Sequence, residues 1–324
     1  MLQIKDLEIS FFSGKQQARR TDRVSFELRP GEILALVGES GCGKSITALS
    51  ILGLLPRQGR ATGGEILYQG KNLLTMPEKE LDEIRGKEIA MIFQDIMYSL
   101  NPVFTIGNQL MEGMRRHMGY SKEQAREKAE ALLRRVGIQN AEEVMRKYPH
   151  MLSGGMRQRV MIAMALSCEP RILIADEPTT ALDVTIQLQI MQLLMSLRDE
   201  YGMSILLITH DIGVVTEMAD RVAVMYAGQC VEIAGTKELL EQPQHPYTQA
   251  LMNAVPGVGG DRNQRLYSIP GTVPENYQEM TGCRFAPRCP YAAGCAATGE
   301  MRTAADGRQV RCDRATEGRD AHEA

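Results

Sequence analysis

An eight-residue loop, Gly38 to Ser45, carries the pattern GxxxxGKS between two apolar segments. The preceding run, 32–37, is short and almost wholly apolar, which predicts a buried parallel strand, and 46–54 is predicted to be a helix. Such glycines let backbone N–H groups wrap phosphates, the lysine reaches the β- and γ-phosphates, and the serine hydroxyl can bind Mg²⁺. An α/β protein that binds a nucleotide is therefore predicted. The predicted nucleotide contacts are Ser40, Gly41, Cys42, Gly43, Lys44, Ser45 and Ile46.

Two further apolar runs end in polar residues that could complete this site. The run 171–175 is followed by Asp176 and Glu177, and the run 204–209 is followed by His210. After such a strand, one carboxylate can bind Mg²⁺ and the next can accept the proton of an attacking water. We predict that Asp176 binds Mg²⁺ and that Glu177 is the general base. Ligands of open parallel sheets bind at the carboxyl ends of the strands, so His210 is predicted to contact the γ-phosphate. The predicted catalytic residues are Lys44, Glu177 and His210.

A second anion site is predicted at the segment LSGGM, 152–156, which precedes a long apolar segment. Ser153 can cap a helix that begins near Gly155, and the helix N-terminus would then attract an anion. One fold cannot readily bring both anion sites onto one nucleotide. The second site is therefore expected to serve a nucleotide bound by another subunit.

In this order, the motifs resemble the nucleotide-binding domain of ABC transporters over roughly the first 250 residues. The resemblance implies a RecA-like P-loop NTPase core, with a helical subdomain inserted at about 95–165 where charged helical periodicity replaces the strand pattern. The sequence departs from the family at Met156, where glutamine is commonest. The serine and both glycines of LSGGM at 152–156, the segment called the signature in this family, are unaffected by this change.

The resemblance also implies roles for individual residues. Phe11, or its neighbour Phe12, would stack on adenine, and Gln94 would bind Mg²⁺ and face a membrane partner. The signature would close over the γ-phosphate of the opposite subunit, and Asp183 would belong to the D-loop. The nucleotide contacts added by the resemblance are Phe11, Gln94, Ser153, Gly154, Gly155 and Asp183.

Composition restricts the kind of partner. With 44% hydrophobic residues and a formal net charge of −3, the chain can bury a large core and has no basic bias toward nucleic acid. Its apolar stretches are too short to span a membrane, and its N-terminus has no signal-peptide pattern. We therefore expect no nucleic-acid partner. Any membrane work would be done by other subunits, with this chain peripheral at the cytoplasmic face.

Four cysteines in the tail, spaced C-x5-C-x5-C-x16-C, suggest a metal site. Stable disulfides are not expected in a reducing cytosol, and a metal could hold together a segment with too few apolar residues for a core of its own. Zinc sites usually use C-x2-C pairs, which are missing here, and four thiolates can also bind a [4Fe-4S] cluster. Spacing alone leaves iron–sulfur, zinc and four unligated thiols open. The four residues are Cys283, Cys289, Cys295 and Cys312.

The other three cysteines are expected to differ in reactivity. Cys42 lies at the predicted helix N-terminus beside Lys44, a position that normally lowers a thiol pKa, so we expect a reactive thiol there. Cys168 and Cys230 stand among apolar residues and are predicted to be core residues.

Two segments in the C-terminal part of the chain indicate which ABC subfamily the sequence resembles. HPYT at 245–248 and CRFAPRCPY at 283–291 resemble the C-terminal extension of oligopeptide and dipeptide importer ATPases. The resemblance implies a nucleotide-binding domain at 1–250, an extension at 251–324, and iron–sulfur in preference to zinc. It also implies an ATPase that powers di- and oligopeptide uptake, paired with a second ATPase subunit on two permeases fed by an extracytoplasmic binding protein.

Two alternatives to peptide uptake remain. A nickel or metallophore importer of the same family would share every motif of the ATPase core. A soluble ABC ATPase that acts on ribosomes or DNA would normally carry two fused ATPase domains or a long coiled coil, and this sequence shows neither.

Overall fold

The computed structural model describes residues 1–14, 16–95, 99–180, 182–254, 268–274, 276–293, 295–296, 298–304 and 306–316. The chain divides into two compact units. The first unit comprises the described residues of Met1–Glu27, Leu34–Leu74 and Thr209–Ala324. The second comprises those of Leu28–Ile33 and Thr75–Ile208.

The regular elements are numbered along the chain. The strands are β1 Leu2–Ser13, β2 Gln16–Leu28, β3 Ile33–Val37, β4 Gly59–Tyr68, β5 Lys71–Asn72, β6 Ile89–Ile92, β7 Ile172–Asp176, β8 Ser204–Ile208, β9 Arg221–Tyr226, β10 Gln229–Gly235, β11 Arg302–Thr303 and β12 Gln309–Val310. The helices are α1 Lys44–Ile51, α2 Glu78–Ile84, α3 Ile106–His117, α4 Lys122–Arg135, α5 Ala141–Arg146, α6 Gly154–Leu166, α7 Val184–Tyr201, α8 Ile212–Met218, α9 Thr236–Glu241 and α10 Pro246–Asn253. Within the described residues, no helix is long and apolar enough to cross a membrane.

The first unit contains two groups of strands. One is an antiparallel sheet in the order β2-β1-β4-β5, in which Leu2 lies opposite Tyr68 and Phe11 opposite Gly59. In the other, β3 runs parallel to β9, β10 is antiparallel to β9, and β12 and β11 extend β10. Every residue of β3 is buried, as its continuous apolar sequence predicts. β3 thereby places the loop 38–45, hereafter the phosphate loop, directly after a buried strand.

The second unit is built on three parallel strands, β6, β7 and β8, with β7 in the middle. All residues of β7 and β8 are buried. Helices α3, α4 and α5 lie between β6 and β7 in the sequence. The Ser121 hydroxyl accepts from the Gln124 N–H at 3.2 Å while the Gln124 side chain accepts from the Ser121 N–H at 2.9 Å, the capping box that starts α4.

The tail shares the core of the first unit. Phe285 is fully buried, with its ring 5.3 Å from that of Tyr226 and 5.5 Å from that of Tyr247. The described tail also has single helical turns and the strands β11 and β12. The tail was expected to have too few apolar residues for a core of its own. The structure adds that its Phe285 side chain packs against β9 and α10 instead.

Candidate functional site

Two glycines fix the shape of the phosphate loop. Gly38 has φ +148°, and a Cβ there would collide with the carbonyl oxygen of Met225. Gly43 has φ +104° and caps α1, and a Cβ there would lie 3.0 Å from the Thr21 methyl carbon. Both positions need a residue without a side chain. The predicted helix 46–54 is in fact Lys44–Ile51, because the left-handed Gly43 lets the helix begin directly after it.

Lys44 is held by the loop itself. Its ammonium donates to the carbonyl oxygens of Gly38 at 2.8 Å and Glu39 at 3.1 Å, and the residue is 7% exposed. A buried cation needs such partners, since leaving one without them is costly. The lysine is thus presented from the same loop whose backbone is shaped for phosphate.

The expectation of a reactive thiol at Cys42 is wrong. Cys42 is 2% exposed, and this burial raises the pKa of its thiol although Lys44 acts in the opposite direction. A thiol with a raised pKa is mostly protonated at neutral pH and is a poor nucleophile. Cys168 and Cys230 are buried, as predicted, and burial raises the pKa of Cys230 to about 12.

Glu39, an unassigned position of the loop pattern, has partners that the sequence did not suggest. Its backbone N–H donates to the Tyr247 hydroxyl at 3.0 Å. Its carboxylate accepts from Arg288 at 3.1 Å, and Arg288 also donates to the Tyr226 hydroxyl at 3.3 Å. Tyr247 and Arg288 lie in the HPYT and CRFAPRCPY segments, which marked only a resemblance at the sequence level.

Three further predicted residues of the first unit, His210, Phe11 and Phe12, are exposed or partly buried. His210 is exposed and precedes Asp211, the N-cap of α8. Phe11 is half-buried against Gly59, where a Cβ would lie 3.1 Å from the Phe11 ring. The Phe12 ring has the guanidinium of Arg60 5.7 Å from its centre. Stacking of either phenylalanine on adenine stays a prediction.

In the second unit, the structure brings Gln94 and Glu177 together. Asp176 ends β7 and is 4% exposed, and Glu177 follows with φ 45°, a strained conformation for a residue with a side chain. One carboxylate oxygen of Glu177 accepts from the Gln94 amide at 2.9 Å and from the Thr180 hydroxyl at 2.8 Å. Its backbone N–H donates to Ile208 at 2.9 Å. Gln94 and Thr180 thus orient the carboxylate. Gln94 was predicted to bind Mg²⁺ but not to contact Glu177, and Thr180 was not predicted.

The signature segment presents a helix N-terminus. Ser153 is exposed and caps α6 by accepting from the Met156 N–H at 3.4 Å, so the helix starts at Gly154, one residue earlier than predicted. A Cβ on Gly155 would lie 3.4 Å from the Ile186 side chain. Gly154 is exposed. The first turn of α6 is therefore open to a ligand at its N-terminal end.

The signature helix is also connected to the loop that follows Glu177. The Gln158 side chain on α6 is fully buried, and its amide donates to the carbonyl oxygen of Pro178. Asp183 caps α7 and accepts from the Ile186 N–H at 3.0 Å. Gln158 was not predicted, although a polar residue within an apolar helix sequence could have indicated a buried partner.

The predicted site residues are distributed over both units. Phe11, the loop 38–46 and His210 belong to the first unit. Gln94, the signature 153–155, the acidic pair 176–177 and Asp183 belong to the second.

The tail cysteines surround one cavity of the first unit. Cys283, Cys289, Cys295 and Cys312 all line it, together with His245 and Phe285. Burial raises the pKa of the Cys283, Cys289 and Cys312 thiols, and neighbouring cysteines of the group raise it further. Over the ranges described, no set of three or more His, Cys, Asp or Glu residues is arranged to hold a single metal ion.

Two family patterns match the chain. The pattern described as ABC transporter matches residues 21–180. The pattern described as oligopeptide/dipeptide transporter, C-terminal region, matches residues 231–295.

Similar proteins are found among both known sequences and solved structures. The probable peptide ABC transporter ATP-binding protein y4tR of Sinorhizobium fredii is 52% identical over 295 residues, which are 91% of this chain and 88% of the relative. The dipeptide transport ATP-binding protein DppD of Escherichia coli is 46% identical over 314 residues, 96% of each chain. The dimeric, post-hydrolysis ATP-binding cassette MJ0796 with ADP and phosphate gives a TM-score of 0.66 at 28% identity, covering 73% of this chain and 99% of that one. The fold class predicted from the sequence is thereby confirmed.

Proposed function

The chain belongs to the ABC transporter family as an ATP-binding subunit, and from this premise we propose that it hydrolyses ATP to power the uptake of dipeptides and oligopeptides. The observation that carries the substrate class is the match of residues 231–295 to the C-terminal region of oligopeptide and dipeptide transporters. The names of the similar proteins from Sinorhizobium fredii and Escherichia coli support it.

In the proposed reaction, this chain supplies positioning and charge. The loop 38–46 and Lys44 bind the phosphates, and His210 contacts the γ-phosphate. Glu177 takes a proton from water as the water oxygen bonds to the γ-phosphorus and the bond to the bridging oxygen of ADP breaks. The hydrogen bonds from Gln94 and Thr180 support this role, because they aim the Glu177 carboxylate.

Magnesium fits the donors that the chain offers. We assign its binding to the Ser45 hydroxyl, the Asp176 carboxylate and the Gln94 amide oxygen, the oxygen donors that this ion prefers. When bound, Mg²⁺ would neutralise phosphate charge. The position of Asp176 at the carboxyl end of the parallel strand β7 supports the assignment, since ligands of open parallel sheets bind at these strand ends.

The proposed assembly contains a second ATPase subunit, two permeases and an extracytoplasmic binding protein, with this chain peripheral at the cytoplasmic face of the membrane. The exposed Ser153 and Gly154 support pairing with a second ATPase subunit, since the N-terminus of α6 is open to an anion. We assign residues 1–250 to the nucleotide-binding domain, with its helical subdomain at about 95–165, and residues 251–324 to the extension.

A reconstituted transporter tests this function. Copurification with the tagged chain should identify the permeases and the binding protein. In proteoliposomes, ATP hydrolysis should then be stimulated by binding protein loaded with a dipeptide or oligopeptide, and Lys44→Ala should abolish it. Stimulation by a nickel-loaded binding protein, with no response to peptides, would contradict the proposed substrate.

We also propose that the four tail cysteines bind a [4Fe-4S] cluster. All four thiols line one cavity, which supports a shared ligand. A cluster takes one thiolate on each iron, so its ligands can surround a cavity without converging on a single ion. Zinc is the alternative, and thiolates alone do not choose between the two metals.

Iron analysis under anaerobic conditions tests the cluster. The purified chain should be brown and contain about four iron and four acid-labile sulfide per chain. Cys289→Ser should lose the colour, whereas the control Cys168→Ser should keep it. Stoichiometric zinc without visible absorbance would replace the cluster with a zinc site, and a metal-free, colourless protein would exclude both.

A further inference from the structure

Glu39 joins the phosphate loop to two residues far away in the sequence. Its backbone N–H donates to the Tyr247 hydroxyl at 3.0 Å, and its carboxylate accepts from Arg288 at 3.1 Å. Its carbonyl oxygen accepts from the Lys44 ammonium at 3.1 Å. The backbone N–H and the carboxylate of Glu39 therefore bind the C-terminal part of the chain, and its carbonyl oxygen binds Lys44.

Tyr247 is held by contacts that do not involve the loop. It is fully buried, and its ring lies 4.6 Å from that of Tyr226 and 5.5 Å from that of Phe285. Its backbone N–H donates to Nδ1 of His245, which caps α10, at 3.0 Å. The hydroxyl that meets Glu39 is thus placed by a packed aromatic group and a helix start, both of which are rigid.

Arg288 is fixed in the same way. Its side chain is only 6% exposed, its Nε donates to the carbonyl oxygen of Pro270 at 2.8 Å, and its guanidinium lies 5.7 Å from the ring centre of Tyr226. The Glu39 side chain is 27% exposed, so the pair is partly shielded from solvent. Charge-assisted hydrogen bonds of this kind are stronger than neutral ones.

We propose that Tyr247 and Arg288 are positioning residues for the phosphate loop. Gly38, Gly41 and Gly43 all have positive φ, and glycine loses more conformational freedom on ordering than other residues. If nothing restrained such a loop, binding ATP would have to order it and affinity would fall. Tyr247 and Arg288 hold Glu39 and so order the loop before ATP binds. Because the Glu39 carbonyl oxygen accepts from Lys44, they also set the position of the Lys44 ammonium before ATP binds. This inference rests on the proposed nucleotide site.

Two full-length variants test the proposal through ATP affinity. Tyr247→Phe removes only the hydroxyl, and we expect the Kd for ATP to rise roughly three- to tenfold, the effect of losing one neutral hydrogen bond. Arg288→Gln removes the charge, and we expect a rise of roughly 10- to 100-fold. In the assembled transporter, kcat at saturating ATP should stay within about twofold of wild type, since neither residue touches the reacting atoms.

Tyr277→Phe is the matched control. It also removes one hydroxyl from the same core, but that hydroxyl donates at 3.4 Å to the Arg20 carbonyl oxygen and not to the loop. Its Kd for ATP should equal that of wild type. Arg288→Lys, which keeps the charge, should recover part of the affinity lost in Arg288→Gln. In a double-mutant cycle, Glu39→Gln and Arg288→Gln should be non-additive.

The possible outcomes separate this inference from the proposed function. If the wild-type chain binds ATP and both variants bind it with the wild-type Kd, the inference is overturned and the nucleotide site stands. Lowered melting temperatures with unchanged Kd would show a purely structural role and would overturn it equally. A wild-type chain that fails to bind ATP would remove the nucleotide site and the inference together.

Discussion

The phosphate loop and the signature segment are both proposed to bind anions at helix N-termini, but they differ in how many contacts from the rest of the chain hold them. In the loop, Lys44 is buried against carbonyl oxygens, and Glu39 is held by Tyr247 and Arg288. In the signature, Ser153 is exposed, and its hydroxyl accepts from the Met156 N–H of its own helix. The difference teaches that a helix N-terminus can be held by distant parts of the chain or left exposed, depending on what packs beside it. The exposed arrangement is the one that we propose for a site shared between subunits.

Glu177→Gln should have the largest effect. The substitution keeps the shape of the side chain but removes the base, so ATP turnover in the assembled transporter should fall by roughly 10²- to 10⁴-fold while ATP still binds. Steady-state hydrolysis and equilibrium ATP binding measure the two effects. Lys44→Ala is the contrasting variant, because it should weaken binding itself. Parental turnover in Glu177→Gln would show that another residue is the base.

The next-largest effect concerns the core of the first unit, to which the phosphate loop belongs. Arg284 is 3% exposed and pairs with Asp22 at 2.6 Å, so Arg284→Met removes a charged partner from a buried carboxylate that keeps only Gln229 and the more exposed Arg19 close by. The free energy of unfolding should fall by about 1.5–3 kcal/mol, the range for a hydrogen bond to a charged group. Chemical denaturation measures this change. The control is Arg302→Met, whose partner Asp313 lies 2.6 Å away in a half-exposed pair worth about 1 kcal/mol or less. Equal effects in the two variants would contradict the role of burial.

The contribution of the Asp22–Arg284 pair to the free energy of unfolding should depend on pH. Burial raises the pKa of Asp22, but Arg284 together with Gln229 and Arg19 outweighs this and holds it below its usual value of 3.8. A carboxyl with a lowered folded-state pKa stabilises the fold above its unfolded-state pKa and loses this contribution as pH falls through the folded value. The stability difference between wild type and Arg284→Met should therefore shrink below about pH 4. Unfolding curves at pH 3 and pH 6 compare the two.

Ser153→Ala should separate the two anion sites directly. In the isolated chain, the Kd for ATP should stay within about twofold of wild type, since the signature serves a different nucleotide. In the assembled transporter, hydrolysis should fall roughly 10- to 100-fold, the effect of one lost hydrogen bond to a charged group. A weaker Kd in the isolated chain would place Ser153 at this chain's own nucleotide.

The smallest effect is expected for Ser121→Ala. Ser121 and Ser153 both cap helices of the second unit, and either substitution should cost about 1 kcal/mol of stability. Only Ser153 belongs to the signature, so Ser121→Ala should leave hydrolysis unchanged in the assembled transporter. An equal loss of activity in both variants would reduce the role of Ser153 to that of an ordinary cap.

The sequence predicted correctly those elements that depend on interactions between residues close together in the chain. The strands β3, β7 and β8 lie within one residue of their apolar runs, because strands buried on both faces are apolar throughout. The loop glycines were predicted because the pattern requires a backbone that only glycine adopts readily. The cap at Ser153 followed from the same kind of short-range rule.

The failures of prediction involve burial and distant partners. The rule for Cys42 considered the helix end and the lysine, both near in sequence, and burial outweighed them. The contacts of Glu39 reach Tyr247 and Arg288, which are 208 and 249 residues away, and no local pattern records such pairs. Gln158 was missed for a similar reason, because its role depends on the loop at Pro178 that packs beside α6. Thr180 is the exception, since its partner Glu177 is only three residues away.

The pairing of the tail with β10 has a practical consequence for making fragments of this protein. A polypeptide that stopped at residue 250 would carry every nucleotide motif, yet it would lack β12, whose Val310 lies opposite Glu232 of β10. Its β10 edge would then be open to strands of other molecules, and the rings that Phe285 covers would face solvent. Such a fragment should aggregate, so a soluble nucleotide-binding fragment has to extend beyond Val310.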